Sequence, residues 1–265
     1  MEDGKHLALI AQNIKGDGEY VVCPGMRGLI NILRADIQPE FVLAIRGKSI
    51  LEIAKSMGCD NNTLEKVEKI KKSEIDEITA RNALGKTHHT GTYSLIRKPL
   101  STENHNPKGI IVWINNPDNL RNIGTAIRSS VASGIKNIII DSPDKNPWHA
   151  ESIQASCGYI FYLDSLNIFK NEKDAIKKAV GAGKKIISLS DRGEMMVDTA
   201  ILKNSVLVFG NERRGVSERV ISLSDKIIRL PMLPGVSSYN LSASIAIATH
   251  LSNYDGGISE DSMLK

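Results

Sequence analysis

The chain has few features that could hold it together other than a hydrophobic core. Its three cysteines, Cys23, Cys59 and Cys157, are odd in number, widely spaced and in no metal-ligand pattern. That excludes a disulfide or zinc framework and reads as reduced thiols. No run of about 18 apolar residues occurs, so no membrane-spanning helix is expected. The apolar stretch near the N-terminus is too short for a signal peptide, and the expected compartment is the cytoplasm. Charge of one sign is also missing: 34 Lys and Arg stand against 30 Asp and Glu, a formal +4. Both halves are only weakly basic, which permits a nucleic-acid partner without indicating one.

Familiar catalytic signatures are absent too. There is no G-x-G-x-x-G after an early strand, no G-x-S-x-G and no H-E-x-x-H. Gly210-Asn-Glu-Arg-Arg-Gly215 has the glycine spacing of a phosphate loop but lacks the Lys-Ser/Thr that makes one useful. His88 and His89 are adjacent, an arrangement that rarely aims both rings at one metal, so a solvated pair is expected.

What is present describes an ordinary globular protein, 41% hydrophobic and 24% charged. At roughly 150 residues per domain, 265 residues suggest two domains or one large one. In the first hundred residues, Tyr20–Val22 and Phe41–Ile45 read as strands. Met26–Ala35, Ile50–Met57 and Asn61–Ile70 read as helices, giving a small α/β unit. The polar, proline-containing stretch around residues 99–108 reads as a linker. Beyond Gly109, short β-branched runs appear at Ile110–Ile114, Lys136–Ile140, Ile186–Leu189, Val206–Phe209 and Lys226–Leu230. Helical spacing lies between or after them at Ile123–Ala132, His149–Cys157, Asn167–Val180, Ser217–Leu223 and Asn240–Ser252. This alternation predicts a three-layer α/β domain with a mostly parallel sheet covered on both faces. The expected division is therefore 1–98, a linker at 99–108, and 109–265. Ligands of such sheets bind at the carboxyl ends of strands, which points to the loops after Ile114, Leu189, Phe209 and Leu230.

Three of these loops combine glycine or proline with hydrogen-bonding side chains. The first runs from Asn115 through Asn122 and Gly124 to Arg128; alone, Arg128 reads as a surface or ion-paired helix residue. The second, Phe209–Val216, alone reads as a tight turn with a salt bridge. The third, Leu230–Ser244, reads as a stiff connection feeding a helix of small residues that packs closely on another helix.

Taken together and in this order, the three loops resemble the signature motifs of the SpoU (TrmH-type) branch of the SPOUT RNA methyltransferases. Asn122, Gly124 and Arg128 match the first motif. Leu207-Val-Phe-Gly-Asn-Glu212 with Gly215 matches the second. Pro231-Met232 and Ser238-Tyr-Asn-Leu-Ser242 match the third. The similarity spans about Gly109–Asp255, with looser agreement at Ser152–Gly158. Two positions depart from the family: Pro234 stands where glycine is usual, and Tyr239 replaces Leu or Phe. More weakly, Gly18–Gly25 with the following helix and strand is similar to the ribosomal-protein-like substrate-binding domain of several SpoU enzymes.

The resemblance implies transfer of a methyl group from S-adenosyl-L-methionine to a ribose 2′-hydroxyl of structured RNA, with no metal. It implies a C-terminal trefoil knot, a homodimer and an N-terminal RNA-binding domain. Implied cofactor-binding residues are Leu189, Gly210, Asn211, Glu212, Leu230, Met232, Tyr239, Asn240 and Ser242. Implied catalytic residues are Arg128, Asn122, Glu212, Ser238 and Asn240. Arg128 is sometimes described as the base in this family. A guanidinium is always protonated in proteins, so gripping an RNA phosphate and stabilising the developing alkoxide is the alternative role. Ribosomal RNA is the first expected substrate. A tRNA substrate, or a catalytically weak RNA-binding protein on the same fold, are the alternatives. Methylation of a base nitrogen is disfavoured by the intact Arg128 and Ser-x-Asn motifs.

Overall fold

The computed structural model describes residues 2–85, 87–99, 107–195, 200–233 and 238–253. Its contacts divide the chain into two units, Met1–Leu100 with Asn146–Tyr162, and Ser101–Lys145 with Leu163–Lys265. Spacing alone places 146–162 with the second unit; its hydrogen bonds group it with the first. The Ala150 amide donates to the Ile14 carbonyl (2.8 Å), and the Asn31 side chain donates to the Cys157 carbonyl (2.8 Å).

The first unit contains α1 (Glu2–Asn13), β1 (Tyr20–Pro24), α2 (Met26–Arg34), β2 (Phe41–Ile45), α3 (Ile50–Ser56) and α4 (Asn61–Lys69). β3 (Lys72–Ile75), α5 (Glu77–Leu84) and β4 (Thr92–Arg97) follow. The helix α2 forms because Met26, Leu29, Ile30 and Leu33 recur at helical spacing, and all four are buried. Ser49, Asp60 and Asp76 cap α3, α4 and α5 by accepting backbone N–H bonds. The sheet order is β1-β4-β2-β3, with β4 antiparallel to both neighbours. Thus the last strand of the unit is inserted at its centre. Sequence spacing misses α1, β3, α5 and β4. The four-residue β3 shows only one buried side chain, Ser73. Helix α1 buries just His6, Leu7 and Ile10.

His88 is not the solvated group expected. It is half-buried, its Nδ1 pairs with the Thr90 hydroxyl (2.8 Å), and its ring lies 4.2 Å from that of His89. Burial first, then the nearby His89 and Lys48, push its pKa down to about 4.

The second unit comprises β5 (Ile111–Asn115), α6 (Leu120–Ala132), β6 (Asn137–Asp141), then, beyond α7 (Ala150–Ala155) of the first unit, β7 (Ser165–Phe169) and α8 (Glu172–Gly181). It continues through β8 (Lys185–Met195), β9 (Ser205–Phe209), α9 (Glu218–Ile221), β10 (Lys226–Arg229) and α10 (Leu241–Asn253). Its six strands are all parallel, in the order β10-β8-β9-β5-β6-β7. On one face Ile111, Trp113, Ile139, Val206 and Val208 pack under α8 and α9. The alternate residues Val112, Ile114, Ile138 and Leu207 are buried on the other face, where α6 and α10 pack together. This is the expected three-layer arrangement. One expected helix, Asn167–Val180, is instead an edge strand followed by a helix. Asn171 separates them by capping α8, its side chain accepting from the Asp174 amide (3.0 Å). No helix among the described residues is long and apolar enough to cross a membrane.

Packing in the first unit leaves no room at Gly28. A Cβ there would lie 2.3 Å from the buried Cys23 sulfur. Gly28→Ala gains about 1 kcal/mol of helix propensity but forces an overpacked core, typically a loss of about 1–3 kcal/mol. We expect net destabilisation of up to about 2 kcal/mol in urea unfolding, largely recovered when Cys23→Ala removes the sulfur from the same chain. A double variant no more stable than Gly28→Ala would contradict this packing.

Candidate functional site

Because the second unit's strands are all parallel, the loops after β5, β8, β9 and β10 leave the same edge of the sheet, and these four strands are adjacent. Each expected loop therefore has another beside it. Two close backbone approaches shape them. β10 pairs with β8 first at Ile187 and Ser188, then skips to Glu194 and Met195, so Leu189–Gly193 bulges out of register. The bulge closes at Gly193, where a Cβ would meet the Ile228 backbone at 2.6 Å. At Gly210 a Cβ would lie 2.1 Å from the Gly215 and Val216 backbone. Glycine thus lets the chain fold back, and Asn211 and Gly215 exchange two backbone hydrogen bonds of 3.0 and 2.8 Å.

The Asn211 side chain joins this turn to the loop after β5. Its amide nitrogen donates to the Asn116 carbonyl (2.8 Å) and Asp118 carboxylate (2.7 Å), while its oxygen accepts from the Arg213 and Arg214 amides (2.9 and 3.0 Å). Glu212 points back to the same loop, accepting from the Asp118 amide (3.1 Å) and from the Asn122 side chain. Asn119 caps α6 by accepting from the Asn122 amide (2.8 Å), which fixes where that helix starts.

Beneath the loop, Asn115 donates to both Asp141 oxygens (3.1 and 3.2 Å) and to Glu172 (3.0 Å), and accepts from the Ser217 amide (3.0 Å). Trp113, in the core as expected, donates to Asp141 at 2.6 Å. Burial raises the Asp141 pKa; the bonds from Trp113 and Asn115 oppose the rise, and the charge of Glu172 adds to it.

These loops enclose a cavity of about 480 Å³, within the range of cofactor sites. Leu189, Phe209, Leu230, Met232 and Leu241 give apolar walls, while Glu212, Asp191 and Ser238 supply polar groups. Of the residues singled out from sequence, Leu189, Gly210, Asn211, Glu212, Leu230, Met232, Ser238 and Tyr239 line this one cavity. Asn122 joins it through Glu212. Asn122, Arg128, Asn240 and Ser242 are not part of its lining. Asn240 accepts from the Ser242 amide and hydroxyl (3.0 and 2.7 Å) at the start of α10. Arg128 is an exposed residue of α6, six positions after Asn122. The Tyr239 hydroxyl donates to the Pro231 carbonyl (3.0 Å), tying together the ends of the third loop. Pro234, the other departure, lies outside the described residues.

Sequence reasoning missed Asp118, Gly193, Arg192 and Arg229; it read Arg213 and Arg214 only as part of a salt-bridged turn, and Arg213 does pair with Asp118. Asp118 looks like a turn residue, and only the pairing of two distant loops reveals its use. Gly193 had a signal, an isolated glycine ending a strand pattern.

Comparison with known proteins is consistent with this geometry. The SpoU rRNA Methylase family profile matches residues 109–250. A 23S rRNA (adenosine(1067)-2'-O)-methyltransferase of Streptomyces azureus is 28% identical over 54% of this chain and 54% of its own length. A tRNA (guanosine(18)-2'-O)-methyltransferase of Borreliella burgdorferi is 26% identical over 49% of this chain and 59% of its own. The chain thus spans little more than half the length of these curated relatives. In fold, the chain is similar to the SpoU methyltransferase AviRb from Streptomyces viridochromogenes, solved in complex with AdoMet. The TM-score is 0.70 at 17% identity, covering 95% of this chain and 96% of that one.

Two outcomes follow from the hydrogen bonds. Asn211→Ala strands four partners in a buried position, and losing even one or two satisfied groups costs about 2–3 kcal/mol; thermal and urea unfolding should show a loss of that size. The second concerns pH. A carboxyl whose folded pKa is raised holds its proton more tightly folded than unfolded, so its contribution to stability falls as pH rises through the folded value. Wild type should therefore lose stability relative to Asp141→Asn as pH rises above the ordinary carboxylate range in urea titrations. A gap between the two proteins that does not change with pH would refute the buried-carboxyl assignment.

Proposed function

The chain belongs to the SpoU rRNA Methylase family, and from that premise we propose that it methylates a ribose 2′-hydroxyl of RNA using S-adenosyl-L-methionine. The observation that carries the proposal is the meeting of loops distant in sequence around one cavity, with Glu212 bonded to Asn122. The residues fit the cofactor. Leu189, Leu230, Met232 and Tyr239 offer apolar contact, and the glycine at 210 keeps the turn tight against the pocket. Asn211 and Glu212 supply polar contacts, and Asn240 and Ser242 order the helix start at its rim. S-adenosyl-L-methionine, when bound, supplies a methyl group on a positively charged sulfur, so no metal is required.

The remaining chemistry belongs to the chain. A ribose hydroxyl is weakly acidic, so its oxygen must be held in line and its developing charge stabilised. Glu212 holds the Asn122 side chain, and Asn122 with Ser238 would orient the hydroxyl. Arg128, exposed on the helix that Asn122 begins, grips a neighbouring phosphate and stabilises the alkoxide through its fork of donors. The N-terminal unit supplies further RNA contact, and a homodimer working in the cytoplasm completes the reading. The half-exposed Ser242, Ala243, Ser244 and Ala246 of α10 suit a close helix contact between copies.

Ribosomal RNA is the favoured substrate, supported by the 23S-directed relative; the tRNA-directed relative supports tRNA as the second reading. Mapping 2′-O-methyl sites in total RNA with and without the gene identifies the nucleotide, and an unchanged map counts for a non-catalytic RNA-binding protein. Arg128→Lys keeps the charge but loses the fork. We expect single-turnover methylation slowed at least about 100-fold with cofactor affinity unchanged by calorimetry. Wild-type turnover in that variant would remove Arg128 from the chemistry.

A further inference from the structure

Among the described residues, four arginines, Arg192, Arg213, Arg214 and Arg229, line the cavity alongside two carboxylates, Asp191 and Glu212. Two of the four are engaged: Arg192 pairs with Glu218 (2.7 Å) and Arg213 with Asp118 (3.5 Å). Glu212 is committed to Asn122 and the Asp118 amide, and Asp191 accepts from the Ser190 hydroxyl (3.3 Å). Arg214 and Arg229 are exposed and have no ion-pair partner among the described residues. They come from different elements, the turn after β9 and the end of β10, so two elements each bring to the cavity a guanidinium with no carboxylate partner among the described residues.

The proposed cofactor does not account for them. It carries an ammonium and a sulfonium against one carboxylate, so its net charge is positive, and two further unpaired cations beside it are repulsive. A polyanion arriving at the same mouth removes that repulsion. Guanidinium is the side chain best matched to phosphate, weakly hydrated and able to donate two parallel bonds. Resting on the RNA reading above, we infer that Arg214 and Arg229 form a two-point clamp. It holds backbone phosphates on either side of the nucleotide presented to the cavity.

The test is the salt dependence of binding to a fluorescein-labelled hairpin RNA, followed by anisotropy with the full chain. Each neutralised phosphate contributes about 0.7–0.9 to the slope of log affinity against log salt. Arg214→Gln and Arg229→Gln should each lower the slope by about that amount, and the double variant by about twice as much. The double Lys variant should restore the slope, since each ammonium still neutralises one phosphate. Affinity of the Gln variants for S-adenosyl-L-methionine, measured by calorimetry without RNA, should not fall and should rise if anything, because cations that repel the cofactor are removed. A wild-type slope in the Gln double variant, at unchanged melting temperature, overturns the clamp. So does a tenfold loss of cofactor affinity with the slope intact, which would assign the arginines to the cofactor carboxylate. Absence of any RNA binding by the wild type overturns the clamp and the RNA reading together, whereas an unaltered slope overturns the clamp alone.

Discussion

The side chain of Asn211 is the interaction on which the cavity depends. It is buried, uses both ends of its amide, and forms four hydrogen bonds. Two of these hold the turn after β9 in shape; the other two attach it to the loop after β5. Without this bridge the adjacent strands would still bring the loops side by side, but the four bonds that most directly set their spacing would be lost. Glu212, the next residue, then inherits a defined position and can reach the Asp118 amide and the Asn122 side chain. A parallel sheet thus provides nearness, and one amide converts nearness into geometry.

A second tier supports the first. Asn115 uses its amide much as Asn211 does, joining the end of β5 to Asp141, Glu172 and the Ser217 amide. The placement has an electrostatic consequence. Two carboxylates converge on one amide, and Asp141 sits where water cannot screen it, so its charged form is disfavoured. The support beneath the loop is therefore sensitive to protons. The cavity above it is more exposed and carries its charges as arginine.

Much of this was legible in the chain because it rests on local pattern. Continuous apolar runs such as Ile111–Ile114 and Val206–Phe209 mark buried parallel strands, and the parallel arrangement brings their loops to one edge. Asn122, Gly210 and Glu212 were visible because short motifs carry them. Other features depend on partners remote in sequence. Ser165–Phe169 is a strand only because β6 lies beside it; its own polar residues fit the start of a helix equally well. Residues 146–162 join the first unit through contacts with Ile14 and Asn31, which no periodicity encodes. Arg214 and Arg229 look like ordinary surface charge until the fold shows that acids engage Arg192 and Arg213 and, among the described residues, leave these two without one.

The position of Arg128 ties these points together. It is exposed on α6 and is not part of the cavity lining, so it does not help to hold a cofactor. On the proposed reading, Arg128 acts on a substrate that reaches both the cavity and the exposed face of α6. A small acceptor would fill the mouth and leave Arg128 idle. In the proposed reading, an RNA backbone with a phosphate at every residue engages the arginines of the cavity lining while presenting one hydroxyl to the interior. The exposure of Arg128 is compatible with the polymeric anionic substrate proposed above.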